Sequence, residues 1–114
     1  MEIKSRIWIE KEGKPFLGFG KIQLLKMVDQ TRSISAAAKS LNMSYKKAWN
    51  LLNDMEELSE QPLLVKHIGG KSGGSTVLTA YGKTIIKEFE HLNTKCETFL
   101  NNEFKTSAHG VSES

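Results

Sequence analysis

The stretch SISAAAKSLNMSYKKAWNLLNDME, Ser33 to Glu56, reads as two short helices joined by a tight turn. Ala36, Ala37 and Ala38 favour helix and, being small, let a neighbouring helix approach closely. Ser35 is placed to cap this first helix, which runs to about Leu41. Asn42 comes next, where the chain must reverse, and asparagine is among the few non-glycine residues that accept positive φ. Ser44 then stands as the cap of the second helix. Advancing by about 100° per residue gathers Ala48, Leu51, Leu52, Met55 and Leu58 on one face. Lys46, Asn50, Asn53 and Glu57 fall opposite them, with Lys47 and Trp49 on the flanks.

Charge along this second helix is graded. Lysines stand at its start, and Asp54, Glu56, Glu57 and Glu60 at its end. Helix, tight turn, capped helix is the layout of a helix-turn-helix, whose second helix enters a DNA major groove by its first turns. Phosphates along the groove attract Lys46, Lys47 and the positive end of the helix dipole, whereas the acids sit at the end directed away. Asn50 is the side chain best suited to a base, because an amide pairs bidentately with adenine. The same pattern also fits an amphipathic core helix whose charges are simply solvated.

The segment C-terminal to this helix pair favours the DNA-binding layout. QPLLVKHI reads as a strand after a proline break, GGKSGGS as a glycine-rich turn and STVLT as a returning strand. A hairpin directly after a recognition helix is a wing, whose tip can lie along the phosphate backbone or reach into the minor groove. Lys66, His67 and Lys71 supply positive charge there, and the glycines let backbone N–H groups approach phosphate closely. GGKS is not the end of a nucleotide-binding G-x-x-x-x-G-K-[ST] loop: the first glycine would stand at Val65, and a strand rather than a helix comes after it. GFGKIQ likewise fails G-x-G-x-x-G at Gln23.

The chain of 114 residues fits one domain, and its 39% hydrophobic and 25% charged residues are those of an ordinary globular protein. A net charge of +3 permits an anionic partner without requiring one. Cys96 is the single cysteine, so no internal disulfide framework exists. No apolar run reaches a membrane span, and the N-terminal MEIKSRIWIEKEG lacks the apolar core of a signal peptide, which makes the cytoplasm the expected location. His67, His91 and His109 show no metal-ligand spacing with Cys96, and no nucleophile motif is present, so neither a cofactor, a metal nor catalysis is expected.

Ahead of the central stretch, Ile3, Ile7 and Ile9 alternate with Lys4, Arg6, Trp8 and Glu10, the signature of a half-buried strand. Glu12 to Pro15 reads as a turn and LGFG as a flexible link to a first helix over Lys21 to Gln30, with Ile22, Leu25 and Val28 on its stripe. Past the wing, Thr79 caps a long helix towards Phe104, along which Gly82, Ile85, Phe89, Leu92, Cys96 and Phe99 recur alternately three and four apart. Such a seam serves dimerisation. Its first half, near Ile85 and Phe89, also has the chain's own core to pack on, whereas beyond Leu92 the helix outruns the small domain. Cys96 reads as a small seam hydrophobe rather than a redox switch. Residues 105–114 are expected to be a disordered tail on a domain of residues 1–104.

From Arg32 to Ile86, RSISAAAKSLNMSYKKAWNLLNDMEELSEQPLLVKHIGGKSGGSTVLTAYGKTII resembles the DNA-binding domain of ModE-like regulators and, more distantly, the N-terminal domain of LysR-type regulators. SYKKAW, GGKSGG and LTAYG carry the likeness, which covers about Leu17 to Glu90. It implies a mainly α fold with a small β component: a prokaryotic winged helix-turn-helix with an N-terminal strand or hairpin and a long C-terminal dimerisation helix. Ser44, Tyr45, Lys46 and Lys47 correspond to the start of the family's recognition helix, and Gly69 to Gly74 to its wing. The full candidate DNA-contacting set is Ser33, Ser35, Ser44, Tyr45, Lys46, Lys47, Asn50, Lys66, Lys71 and Ser72. Full-length ModE carries a C-terminal molybdate-binding region for which this sequence has no length, so molybdate binding is not expected. The expected function is a dimeric, sequence-specific transcriptional regulator on a two-fold DNA operator. The competing expectation is a winged-helix protein-interaction module that keeps the fold without binding DNA.

Overall fold

The computed structural model describes residues 1–69 and 74–106. Strands β1 (Trp8–Lys11) and β2 (Lys14–Gly18) form an antiparallel hairpin. Its turn places Glu12 at φ 54° and Gly13 at φ 75°, the two positive values of a type I′ turn, whose twist matches that of the flanking strands. Only Ile9 of the three alternating isoleucines lies in a regular strand. Residues before Trp8 belong to no strand, with Ile3, Ser5 and Ile7 half-buried, and they contact the last helix instead of joining a sheet. Asn101 holds them there: its Oδ1 accepts the Ile3 N–H at 2.9 Å and its Nδ2 donates to the Ile3 carbonyl at 3.2 Å.

LGFG is not a flexible link. Leu17 is buried and Gly18 ends β2, and helix α1 (Phe19–Thr31) begins at once, earlier than the expected Lys21. The local pattern hid this because strand and helix share the segment without an intervening turn. Ile22, Leu24, Leu25 and Val28 of α1 are buried together, which makes α1 the centre of the core. It ends at Arg32, which takes the left-handed conformation at φ 60° and donates its N–H to the Val28 carbonyl.

Helix α2 (Ile34–Ser40) is capped by Ser33, not by Ser35: the Ser33 Oγ accepts the Ala36 N–H at 3.0 Å. Ile34 is already helical and buried, so the cap falls one residue before it and Ser35 is left exposed within the first turn. Ala37 and Ala38 are buried, and Asn42 takes φ 55° at the reversal. Helix α3 (Tyr45–Leu58) starts from Ser44, whose Oγ accepts the Lys47 N–H at 3.1 Å. Ala48, Leu52 and Met55 are buried and Leu51 and Leu58 pack partly against the same core, the face expected from helical periodicity.

Strands β3 (Leu64–His67) and β4 (Ser75–Leu78) pair antiparallel, Leu64 opposite Leu78 and His67 opposite Ser75. Gln61 to Leu63 stay outside the ladder. Leu63 instead becomes a junction: its side chain is fully buried, its N–H donates to the Glu56 carboxylate at 2.6 Å, and its carbonyl accepts the Thr79 N–H at 3.0 Å. Helix α4 (Ala80–Thr106) comes last, with the Thr79 Oγ1 accepting the Gly82 N–H at 2.9 Å. Its 27 residues reach about 40 Å at 1.5 Å per residue. The expected helix end at Phe104 lies within this span, and the remaining tail, residues 107–114, is outside the described residues.

Candidate nucleic-acid interface

Three elements meet around the first turns of α3. On its exposed face stand Lys46 and Asn50, both solvent-facing, as the helical wheel requires. Towards the wing lie Tyr45 and Trp49, one turn apart, with Trp49 lining a cleft of about 310 Å³ together with Ile34, Leu52, Asn53, Glu56, Leu64 and Lys66. Towards the N-terminal hairpin, Lys47 lines a second depression with Trp8, Pro15, Leu17, Met43 and Leu51. Helix α3 therefore offers a polar ridge between an aromatic edge and a lysine edge.

The electrostatics are one-sided. Lys46, Lys47, Lys66 and Arg32 have no carboxylate within ion-pair distance among the described residues. An unpaired, hydrated cation has its charge available for phosphate, and the positive end of α3 adds to it. The acids of α3 are used differently from one another. Glu56 is a structural brace, accepting the Leu63 N–H, and Glu57 accepts the Asn53 side-chain amide at 3.2 Å. Asp54 is exposed in the last turns of the helix, at the end opposite Lys46. The Glu56 brace is invisible in the charge gradient itself, because it depends on where residues 61–63 return against the helix.

The wing is aimed by α1. The edge of β4 that does not pair with β3 is not free: the Thr76 N–H donates to the Arg32 carbonyl at 3.0 Å and the Leu78 N–H to Asp29 Oδ1 at 2.9 Å. These bonds fix β4 to the corner between α1 and α2, and so set the wing beside α3. Ser33, Ser35, Ser44, Tyr45, Lys46, Asn50 and Lys66 all lie on elements around this corner, whereas Lys71 and Ser72 lie outside the described residues. Arg32 is an addition to the expected set. It is an exposed cation at the head of α2, placed there by its bond to β4, a long-range contact that no local pattern encodes.

Residues 19–83 match the family model described as bacterial regulatory helix-turn-helix protein, lysR family. This chain belongs to that family. The matched span runs from the first residue of α1 into the first turn of α4 and so contains the helix pair and the wing. Among individual proteins, the chain is similar to the transcriptional regulator ModE of Yersinia pestis, 38% identical over 82% of this chain and 36% of the relative. It is similarly related to the DNA-binding transcriptional dual regulator ModE of Escherichia coli K12, 38% identical over 81% of this chain and 35% of the relative. The molybdenum-pterin-binding protein MopA of Rhodobacter capsulatus is 33% identical over 71% of this chain and 31% of the relative. The chain thus spans about a third of the length of these relatives.

The seam expected along α4 is divided by the structure. Phe89 is buried at 3% exposure in the chain's own core beside Ile86, and Ile85 is half-covered by it. Cys96 is half-buried under the N-terminal segment, its Sγ 3.9 Å from the Ser5 Oγ. Leu92 and Phe99 remain open, at 51% and 62% exposure. Heptad spacing alone could not separate these groups, because the N-terminal residues that cover Cys96 come from the other end of the sequence. Among the described residues no three His, Cys, Asp or Glu side chains are grouped to hold a metal ion, and no helix is long and apolar enough to cross a membrane.

Proposed function

We infer that this chain is a DNA-binding transcriptional regulator of the ModE-like type, engaging a two-fold operator as a homodimer. The observation that carries the reading is the capped, lysine-headed α3 standing exposed beside a hairpin that α1 holds in place. Lys46, Lys47, Lys66 and Arg32 neutralise phosphates, and Lys71 and Ser72, which lie outside the described residues, belong to the same proposed set. Ser33, Ser35 and Ser44 bring hydroxyls and helix N-termini to the backbone, while Asn50 and Tyr45 face the bases. Affinity is therefore salt-sensitive and selectivity is local to the first turns of α3.

Support for the dimer comes from α4. The molecule measures 61 × 29 × 23 Å, with a helix longer than the core it leaves. Beyond Phe89 that helix presents Leu92 and Phe99 to solvent on one stripe, and a second copy packed on the stripe buries both. Two recognition helices would then face half-sites about one DNA turn, roughly 34–36 Å, apart.

Selection of bound duplexes from a random pool tests the reading. A two-fold enriched motif, with affinity falling steeply as salt rises, is the expected result. No enriched duplex, together with negligible duplex affinity at low salt, would instead favour a protein-interaction module.

A further inference from the structure

The two tryptophans of this chain are handled differently. The Trp8 indole N–H donates to Glu10 Oε2 at 3.0 Å. Trp49 is 43% exposed, and its indole N–H has no acceptor among the described residues. One turn earlier Tyr45 is 54% exposed, on the same edge of α3. Trp49 shares its cleft with the apolar Ile34, Leu52 and Leu64 and with the polar Asn53, Glu56 and Lys66. A packing anchor alone would bury its ring and satisfy its N–H. Trp49 is only partly covered, at 43% exposure, and its N–H has no acceptor among the described residues.

We propose that Trp49, with Tyr45, is a specificity-determining residue that reads thymine by its C5-methyl group. The proposal rests on the regulator function inferred for α3 and the wing, and adds to it a chemical preference. In the major groove the thymine methyl is the one apolar feature of the base edges, so an exposed aromatic ridge beside Lys46 and Asn50 has a single complement there. Tyr45 and Trp49 are about 6 Å apart along the helix axis, close to two base-pair steps. The ridge therefore covers methyl groups at two nearby positions of each half-site. The indole N–H, without an acceptor among the described residues, is available to donate to a base or phosphate oxygen.

Deoxyuridine isolates the methyl group, since it keeps every hydrogen-bonding atom of thymidine. The probe is the duplex enriched by the wild-type chain from a random pool, synthesised once with thymidine and once with deoxyuridine throughout. Each methyl contact is worth about fourfold, so the wild-type chain should bind the deoxyuridine duplex on the order of tenfold more weakly. Trp49→Ala should bind the thymidine duplex less tightly and discriminate only about fourfold, with the Tyr45 contact alone left. Should Trp49→Ala fail to fold, Trp8→Phe leaves Trp49 as the sole tryptophan, and its emission should change more with the thymidine duplex than with the deoxyuridine one at saturation. Equal wild-type affinity for the two duplexes, full discrimination retained by folded Trp49→Ala, or identical emission changes would overturn the proposal. Failure to enrich any duplex would overturn the regulator reading as well, which separates the two failures.

Discussion

Asp29 Oδ1 accepts the backbone N–H of Leu78 at 2.9 Å, across 49 positions of sequence, and so ties the last turn of α1 to the strand that carries the wing. Together with the Thr76 to Arg32 bond it closes the outer edge of β4. Asp29→Ala leaves the Leu78 N–H without its acceptor in a half-buried setting, at a cost of about 1–2 kcal/mol, visible in urea denaturation. Asp29→Asn keeps an acceptor and removes a negative charge from a helix C-terminus, where the dipole disfavours it. Asn should therefore recover most of the stability lost by Ala. Equal losses in the two variants would show that the bond does not brace the wing.

Ser44 sets where α3 begins. Its Oγ holds the Lys47 N–H, and the first turn it caps carries Tyr45, Lys46 and Lys47, the residues proposed to contact DNA. Ser44→Ala should lower stability by ~1 kcal/mol, the usual cost of losing such a cap. Duplex affinity should fall too, because fraying of the first turn disperses Tyr45 and Lys46. Ser44→Asp restores the cap and adds a negative charge beside phosphate, so it should recover stability but not affinity. The contrast is read by thermal melts alongside fluorescence anisotropy.

Lys46 is exposed and unpaired among the described residues, so its removal costs the fold little. Lys46→Ala should leave the melting temperature unchanged and reduce the slope of log affinity against log salt by about 0.9, one phosphate contact. Lys46→Glu should abolish duplex binding without unfolding the domain. Undiminished operator affinity in the Glu variant would remove this residue from the interface.

Beyond Phe89, Leu92 and Phe99 are the exposed large apolar residues of α4 among the described residues. A double substitution of Leu92→Lys and Phe99→Glu, read by sedimentation equilibrium, should give monomers that fold as well as the parent, since neither side chain belongs to the core. Half-site binding should persist while the advantage of a two-fold site disappears. Dimers at unchanged affinity would place the interface elsewhere.

The helix pair is legible in the sequence because its signals are local. Asn42 at the reversal, Ser44 at the cap and the stripe from Ala48 to Leu58 each depend on neighbours within a few residues, and the structure keeps all of them. What the sequence hides is carried by long-range contacts. Arg32 owes its place to Thr76, Glu56 its bracing role to Leu63, and Cys96 its cover to Ser5. The cap of α2 falls between two serines, Ser33 and Ser35, that local composition cannot rank, because burial of Ile34 decides the helix start. Trp49 is legible as a flank residue, but only the cleft formed with Leu64 and Lys66 shows which flank faces the wing.

Gly82 tests the junction on which wing and α4 converge. A Cβ built there would stand 2.5 Å from the Leu63 carbonyl oxygen and 3.1 Å from Leu78 Cδ2. Two effects of Gly82→Ala oppose each other. Alanine improves helix propensity by about 1 kcal/mol over glycine. The overlap, however, is with a backbone oxygen that Thr79 already holds through its N–H, and overpacking of this kind costs typically about 1–3 kcal/mol. Because Leu63 is also fixed by Glu56 and buried in the core, it cannot shift without loosening α3. The clash should win, with net destabilisation of about 1–2 kcal/mol in chemical denaturation. Gly82→Ala should also weaken duplex binding, since the displaced carbonyl lies just before β3. A variant more stable than the parent would mean that α4 can move away from Leu63 at no cost, and that the wing is not anchored there.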